Sequence, residues 1–153
     1  MRFVNYVKQE YDEIIQSLEN YLANSDTCDQ NCRMEDISEI LDRIRSLQLF
    51  ELNSLYPYLK PIVSLKSVLE KAESEHKTME EYIENIIFIH VDEPEHLHMV
   101  RVSELRIFLE RMKQTDFILL DTCPSYLSEA EGNTIDKQIM DSQAKSAELA
   151  HSK

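Results

Sequence analysis

The stretch LKSVLEKAESEHKTMEEYIENII, residues 65–87, carries the clearest structural signal in the sequence. Its apolar residues recur three or four positions apart, with one gap that His76 fills. This spacing is typical of a helix that packs along its whole length inside a bundle. The inward-facing positions are Ile62, just before this stretch, and Leu65, Leu69, Ala72, Met79, Ile83 and Ile86 within it. The sequence therefore predicts a long helix with an imidazole turned toward the core.

The same spacing extends to the rest of the chain. Helices are predicted over residues 3–24 and 34–60, over 61–89 around the first stretch, and from Asp92 to Pro124. The inward positions are Val4, Val7, Tyr11, Ile14, Leu18 and Tyr21 in the first helix, Ile37, Ile40, Ile44 and Leu47 in the second, and Val100, Leu105, Ile107, Phe108 and Met112 in the fourth. Each helix is thus predicted to bury one stripe against the others.

Prolines and polar runs set the ends of these helices. Pro57 is expected to kink the second helix and Pro61 to end it, because proline lacks an N–H and clashes with the preceding turn. Asp92 is the predicted N-cap of the fourth helix, and Pro94 is tolerated in its first turn. A weaker, mostly polar helix is predicted at about residues 134–149.

The number of helices and the shortness of their connections decide the fold class. Four long helices with short connections predict an all-α protein, an up-down-up-down four-helix bundle with a short C-terminal extra helix. The bundle would span residues 1–124, and residues 125–153 would pack on it or trail from it. A single glycine and four prolines argue against an all-β protein, which needs turn residues at every hairpin.

The charge of the chain limits its partners. The formal net charge is −13, with 29 acidic against 16 basic side chains, so nucleic acids and anionic membranes would repel it. The first residues lack the apolar centre of a signal peptide, and apolar runs such as NIIFIHV are too short to span a bilayer. We expect a cytoplasmic protein whose partner is an unidentified protein or a small ligand, with no nucleic acid and no membrane.

Polar residues also fall on the predicted core positions. They are Tyr11 in the first helix, Glu51 in the second, His76 in the third, and Gln114 and Asp121 in the fourth. A buried carboxylate needs a partner, because removing its charge from water is costly. One interpretation is a hydrogen-bonded polar layer that fixes the register of the helices. The other is a metal site in the bundle interior, for which His76 and Glu80 offer two ligands one turn apart.

Three segments resemble a known family. ILDRIRSLQLFELNSLYPYLKP, with LYPYL at residues 55–59, resembles the second helix of hemerythrin-like (HHE cation-binding) domains. KAESEHKTMEEYIENI resembles their third helix, and DTCPSYLSEAEGNTIDKQIMDSQAKSAEL resembles their closing segment. The resemblance covers nearly the whole chain in the right order. It implies a four-helix bundle from a family that binds two non-haem irons.

The sequence departs from this family at the metal ligands. Glu51, His76 and Glu80 stand where the resemblance implies ligands. Tyr11, Leu47 and Gln114 replace three of the family's histidines, and Ile118 and Leu119 occupy its fourth-helix carboxylate region. Tyr11 remains a possible phenolate ligand, and Asp116 or Asp121 is a candidate substitute in the fourth helix. Neutral imidazole and carboxylates suit iron, manganese or zinc.

Three functional hypotheses follow. The first is a non-enzymatic binding or regulatory protein whose metal centre has degenerated, with no cofactor. The second is a protein that binds a single metal, such as non-haem iron, at a partial site built on Glu51, His76 and Glu80, with Tyr11 as a further ligand. The third is an enzyme that uses Glu51 or Glu80 as a buried general base, but no substrate-binding motif accompanies it.

The remaining cysteines and histidines carry weaker signals. Cys28 and Cys32 lie in a polar loop and Cys123 stands alone, so ordinary thiols are expected, with a redox-sensitive Cys28–Cys32 pair as the alternative. The connection His90–His98 is rich in histidine and acidic residues. We interpret it as a solvated loop, with a surface metal site as the alternative.

Overall fold

The computed structural model describes residues 1–24, 30–89 and 95–151, and the side chains of 1–24, 34–87 and 96–140. These residues form helices and turns with no strand among them, so the predicted all-α fold is confirmed. The elements are α1 (Arg2–Ala23), α2 (Gln30–Phe50), a π-helical segment (Glu51–Leu55), α3 (Tyr56–Leu59), a 3₁₀ turn (Val63–Leu65), α4 (Lys66–Ile89), α5 (Glu95–Thr122), a second 3₁₀ turn (Cys123–Ser125) and α6 (Glu129–His151). No helix within the described ranges is long and apolar enough to cross a membrane.

Helices α1 and α2 run antiparallel. Arg43 of α2 pairs with Glu10 at 3.0 Å, and the rings of Tyr6 and Phe50 meet edge to face with their centroids 5.2 Å apart. Later residues of α2 therefore lie beside earlier residues of α1. The inward positions predicted for both helices are buried, apart from the half-buried Val4.

Helix α5 also runs antiparallel to α1. Lys8 of α1 lies 2.5 Å from Asp121 near the end of α5. At the other end of α1, Glu19 accepts a hydrogen bond of 3.2 Å from Arg106. The two pairs place the start of one helix beside the end of the other.

Helices α2 and α4 form a third antiparallel pair. Arg45 bonds to Glu80 at 2.7 Å, and the Gln48 side chain donates to the His76 carbonyl at 3.3 Å. The inward positions predicted for the third helix are buried, apart from the half-buried Ile62. His76 lies among them, as its position on the apolar stripe predicts.

Proline chemistry explains two departures from the predicted boundaries. Pro61 ends the helical run as expected, but α4 begins only at Lys66, after the extended Ile62 and a 3₁₀ turn. The predicted kink at Pro57 takes the form of the π-helical segment just before it. In a continuous α-helix the Pro57 ring would clash with the carbonyl four residues earlier, and the wider turn avoids this. The N-cap predicted at Asp92, with Pro94, lies outside the described residues.

The predicted inward stripe of α5 is partly wrong. Val100 and Ile107 are 49% and 56% exposed, and Gln114 and Asp121 are also exposed. Leu105, Phe108 and Met112 are buried as predicted, and the other buried positions are Val102, Leu109, Thr115, Asp116, Leu119 and Leu120. Helix α5 carries apolar residues on two faces, and it buries the face with more of them. Periodicity alone did not separate the two.

Helix α6 begins at Glu129, five residues earlier than predicted. Ser128 caps it: the Ser128 hydroxyl accepts from the Glu131 N–H at 3.1 Å, and the Glu131 carboxylate accepts from the Ser128 N–H at 3.0 Å. Its first half packs on the other helices through the buried Ile135 and Ile139. Asp136 also accepts the Phe3 N–H at 2.8 Å at the start of α1.

Candidate functional site

A cluster of ionisable side chains lies in the core where several helices meet. One ligand atom each from Glu51, His76 and Asp116 lies within 4.8 Å of the others. The three residues are 0%, 4% and 2% exposed. They come from the π segment, α4 and α5. The sequence predicted Glu51 and His76 for the site and named Asp116 only as a candidate substitute.

The π segment gives this cluster its shape. Two residues five positions apart are rotated by about 140° in an α-helix and cannot both face the core. The π turn, closed by a hydrogen bond from the Tyr56 N–H to the Glu51 carbonyl, brings both onto one side. The Tyr56 hydroxyl consequently donates to Glu51 Oε2 at 2.7 Å. Sequence reasoning missed Tyr56 because the regular helical period that passes through Glu51 next reaches Tyr58, which is only half-buried.

The two tyrosines bridge the two carboxyl groups from opposite sides. Tyr11 OH contacts Glu51 Oε1 at 3.1 Å and also bonds to Asp116 Oδ2. Tyr56 OH contacts the remaining oxygens, Glu51 Oε2 at 2.7 Å and Asp116 Oδ1 at 2.5 Å. Tyr56 OH also lies 3.0 Å from His76 Nε2. Carboxyl and phenol groups therefore alternate around a closed ring, and the imidazole attaches at Tyr56.

Hydrogen counting shows what this ring requires. Each phenol has one hydrogen, yet Tyr11 OH faces two carboxyl oxygens, and Tyr56 OH faces two carboxyl oxygens and a ring nitrogen. Further hydrogens must come from protonated carboxyl groups and from His76 Nε2. Two carboxylates with no added protons would leave two of these five close contacts without a hydrogen, even with a hydrogen on His76 Nε2. The cluster is therefore built to hold extra positive charge, in the form of protons or of a cation.

Burial shifts the pKa values in the same sense. Removal from water raises the pKa of Glu51, although hydrogen bonds from its neighbours oppose the shift. The pKa of Asp116 is raised well above its ordinary value, first by burial and then by the charge of Glu51. Burial followed by the charges of both carboxylates raises the phenol pKa of Tyr11 and of Tyr56 well above 10.0. The tyrosines remain neutral donors, and the carboxyl groups retain protons to higher pH than exposed ones.

His76 contributes a neutral imidazole to the cluster. Burial lowers the pKa of its imidazole, against the opposing charges of Asp116 and Glu75. Its Nε2 faces Tyr56, whereas the buried Nδ1 has no hydrogen-bond partner among the described residues. The tautomer with hydrogen on Nε2 donates to the Tyr56 hydroxyl oxygen. It leaves Nδ1 as an unpaired acceptor, which costs less than an unpaired N–H donor.

Other residues predicted for the site lie elsewhere. Glu80 is 42% exposed and pairs with Arg45 at 2.7 Å, so the structure does not bring it to the cluster. Gln114 is exposed, and Asp121 pairs with Lys8 on the surface. Leu47 is buried, as the predicted apolar packing at that position requires.

The weaker candidates do not extend the site. Cys28 and the first half of the connection His90–His98 lie outside the described residues, as does the Cys32 side chain. His98 Nε2 lies 2.7 Å from the Tyr21 hydroxyl, away from the cluster. Cys123 is buried, and burial raises the pKa of its thiol to about 12, so it is a poor nucleophile.

In comparisons with known proteins, no family model, no curated protein and no solved structure matches this chain. The interpretation of the cluster therefore depends on its own chemistry.

Proposed function

We propose that this protein is a hemerythrin-like bundle in which hydrogen bonds have replaced the metal ions, and that it acts as a non-enzymatic binding or regulatory protein. The antiparallel pairs α1–α2, α1–α5 and α2–α4 are consistent with an up-down-up-down arrangement of these four helices. Helix α6 would be the added C-terminal element.

The positions of the two phenol oxygens carry this proposal. In a carboxylate-bridged dinuclear centre, a bridging carboxylate gives one oxygen to each of two metal ions. Here the two oxygens of Glu51 and the two of Asp116 are divided in the same way between Tyr11 OH and Tyr56 OH. Each hydroxyl thus stands where such a centre would hold an ion. The residues present do not fit two irons.

The surroundings of the cluster support a role without catalysis. Glu51 is fully buried and already bonded to two hydroxyls, so it is poorly placed to accept a proton from a substrate. A cavity of about 130 Å³ lies instead between the start of α2, the end of α4 and the start of α5, lined by Ile37, Leu41 and Ile86 among others. It is about 20 Å along the helix from Glu51.

Metal analysis of the full chain tests the proposal. Protein produced in iron-supplemented medium should contain far less than one metal ion per chain, and a chelator should leave the melting temperature unchanged. A bound ion at 100 times its Kd would instead add about 2.7 kcal/mol of stability, which the chelator would remove. Two irons per chain with the absorption of an oxo-bridged centre would contradict the proposal.

The convergence of Glu51, His76 and Asp116 favours a second candidate, a protein that binds one metal ion. Its ligand set would contain Asp116 in place of Glu80, with the Tyr11 phenolate as a further ligand. Stoichiometric metal that His76→Ala abolishes would favour this candidate. A ferric–tyrosinate colour that Tyr11→Phe removes would assign the phenolate.

A further inference from the structure

The Tyr56 hydroxyl lies between the three side chains that could ligate a metal ion, Glu51, His76 and Asp116. Its oxygen is 2.7 Å from Glu51 Oε2, 3.0 Å from His76 Nε2 and 2.5 Å from Asp116 Oδ1. The Glu51 and His76 ligand atoms are themselves 3.7 Å apart, a spacing that one ion could bridge. A first-row divalent ion binds such atoms at about 2.0–2.2 Å, so shifts of roughly 0.3–1 Å would convert this arrangement into a coordination site.

We propose that Tyr56 is the residue that excludes metal from this chain. Glu51, His76 and Asp116 form a latent site for one first-row divalent cation, and the Tyr56 side chain occupies the position of the ion. This inference rests on the proposed function, in which the natural chain holds no metal. It adds the residue that keeps the site closed and the class of ion that the open site takes.

Charge and ligand chemistry define that class. Two carboxylates balance one divalent cation, and a neutral imidazole adds a nitrogen ligand without adding charge. The buried site is then electrically neutral, as a low-dielectric environment requires. When the ion enters, any protons on Glu51 and Asp116 leave to solvent, and water completes the coordination shell. Tyr11 OH then shares its one hydrogen between the opposite oxygens of the two carboxylates.

Two substitutions at Tyr56 separate the hydroxyl from the volume of the ring. In Tyr56→Leu the shorter side chain does not reach the position of the phenol oxygen. It therefore leaves room for an ion and a water while it keeps apolar packing. Tyr56→Phe removes only the hydroxyl, and its ring still fills the approach to the three ligands. If the ring excludes the ion, only the leucine variant should bind metal. The phenylalanine variant is therefore the matched control.

The experiment titrates Co²⁺ and Zn²⁺ into the full chain and its variants. Tyr56→Leu should bind one Co²⁺ per chain about 100-fold or more tightly than the natural chain, because its three ligands are then accessible. A visible cobalt absorption should appear with it. The double variant Tyr56→Leu/His76→Leu should lose both, and Tyr56→Phe should resemble the natural chain. Absence of metal binding by Tyr56→Leu would overturn the inference.

Folding of the variant is followed in the same samples. If Tyr56→Leu is partly unfolded without metal, Zn²⁺ should restore its helical circular dichroism, since metal binding is then coupled to folding. No response of either the spectrum or the melting temperature, also in Tyr56→Ala, would contradict the inference. Metal in the natural chain that depends on His76 would instead refute the proposed function, so the two failures are distinguishable.

Discussion

His76 uses only part of the hydrogen-bonding capacity of its ring. Nε2 lies 3.0 Å from Tyr56 OH, and the buried Nδ1 has no partner within the described part of the chain. A leucine there would remove an unpaired polar atom, and Tyr56 OH would still lie between two carboxyl groups. We expect His76→Leu to change the free energy of unfolding by less than about 1 kcal/mol, or to raise it, in urea denaturation.

Tyr11→Phe is the contrasting control for His76→Leu. This substitution removes the hydroxyl that faces two buried carboxyl oxygens. It should lower the free energy of unfolding by about 1–3 kcal/mol in the same urea experiment. A loss above about 3 kcal/mol for His76→Leu would show that this residue has a strong partner, such as a metal.

We expect the free energy of unfolding to depend on pH through the raised pKa values of Glu51 and Asp116. Burial raises the pKa of both carboxyl groups above their ordinary values of 4.5 and 3.8. Below these values both the folded and the unfolded chain are protonated. As the pH rises past them, the unfolded chain releases protons that the folded chain retains, so the unfolding free energy falls. The fall continues until the pH exceeds the folded-state pKa values, by up to about 1.4 kcal/mol per pH unit for each proton.

Asp116→Asn isolates this contribution from the rest of the chain. Surface carboxylates such as Glu13, whose pKa is lowered by Gln9 and Arg43, act in the opposite direction in both proteins and cancel in the difference. The natural chain should therefore lose stability relative to Asp116→Asn as the pH rises above 3.8, the ordinary pKa of an aspartate. Chemical denaturation at a series of pH values measures this, and a difference that is constant with pH would contradict it.

At the level of elements, the π segment is one extra residue in an otherwise α-helical run. Deleting the exposed Asn53 places Tyr56 four positions after Glu51, a spacing that keeps both on one face of a regular α-helix. Pro57 would still clash there, so the deletion is combined with Pro57→Ala. We expect this variant to lose less than about 2 kcal/mol of stability in chemical denaturation.

Deletion of Ser46 with the same Pro57→Ala change is the control. It turns Leu47 and Glu51 by about 100° relative to the preceding part of α2, away from their core positions. The free energy of unfolding should fall by more than about 4 kcal/mol, because the buried partners of Glu51 are then left unpaired. Equal losses for the two deletions would show that the π segment does not determine the cluster.

The same elements show what the sequence could predict. The inward stripes of α1, α2 and α4 were predictable because each helix has one apolar face, and His76 and Glu51 lie on these stripes. Tyr56 was not predictable from a regular period, since the π turn shifts every later position by one residue. On α5, two apolar faces made the period ambiguous, which is why Gln114 was predicted to be inward and Asp116 was not.

Over the whole molecule, the cluster links distant parts of the chain through hydrogen bonds. Tyr11, Glu51, Tyr56, His76 and Asp116 belong to α1, the π segment, α3, α4 and α5, so one connected group joins helices that are distant in sequence. Hydrogen bonds in a low-dielectric interior are sensitive to geometry and fix helix register. The cluster therefore specifies how the helices align, while the apolar core around it supplies most of the stability.

The net charge of the whole chain leads to the last prediction. With 29 acidic and 16 basic side chains, repulsion among the surface charges opposes the compact state. Surface ion pairs such as Lys113–Asp12 at 2.8 Å and Arg106–Glu19 at 3.2 Å oppose this repulsion, but exposed pairs are worth only about 0–1 kcal/mol each.

Raising the salt concentration from about 0.01 M to 0.15 M shortens the screening length from about 30 Å to about 8 Å and weakens both the repulsion and the ion pairs. Because the net charge is −13, we expect the repulsion to be the larger effect, so sodium chloride should raise the melting temperature at pH 7. Asp116→Asn should respond equally, because the buried cluster is screened little. A melting temperature that falls with salt would show that the ion pairs dominate.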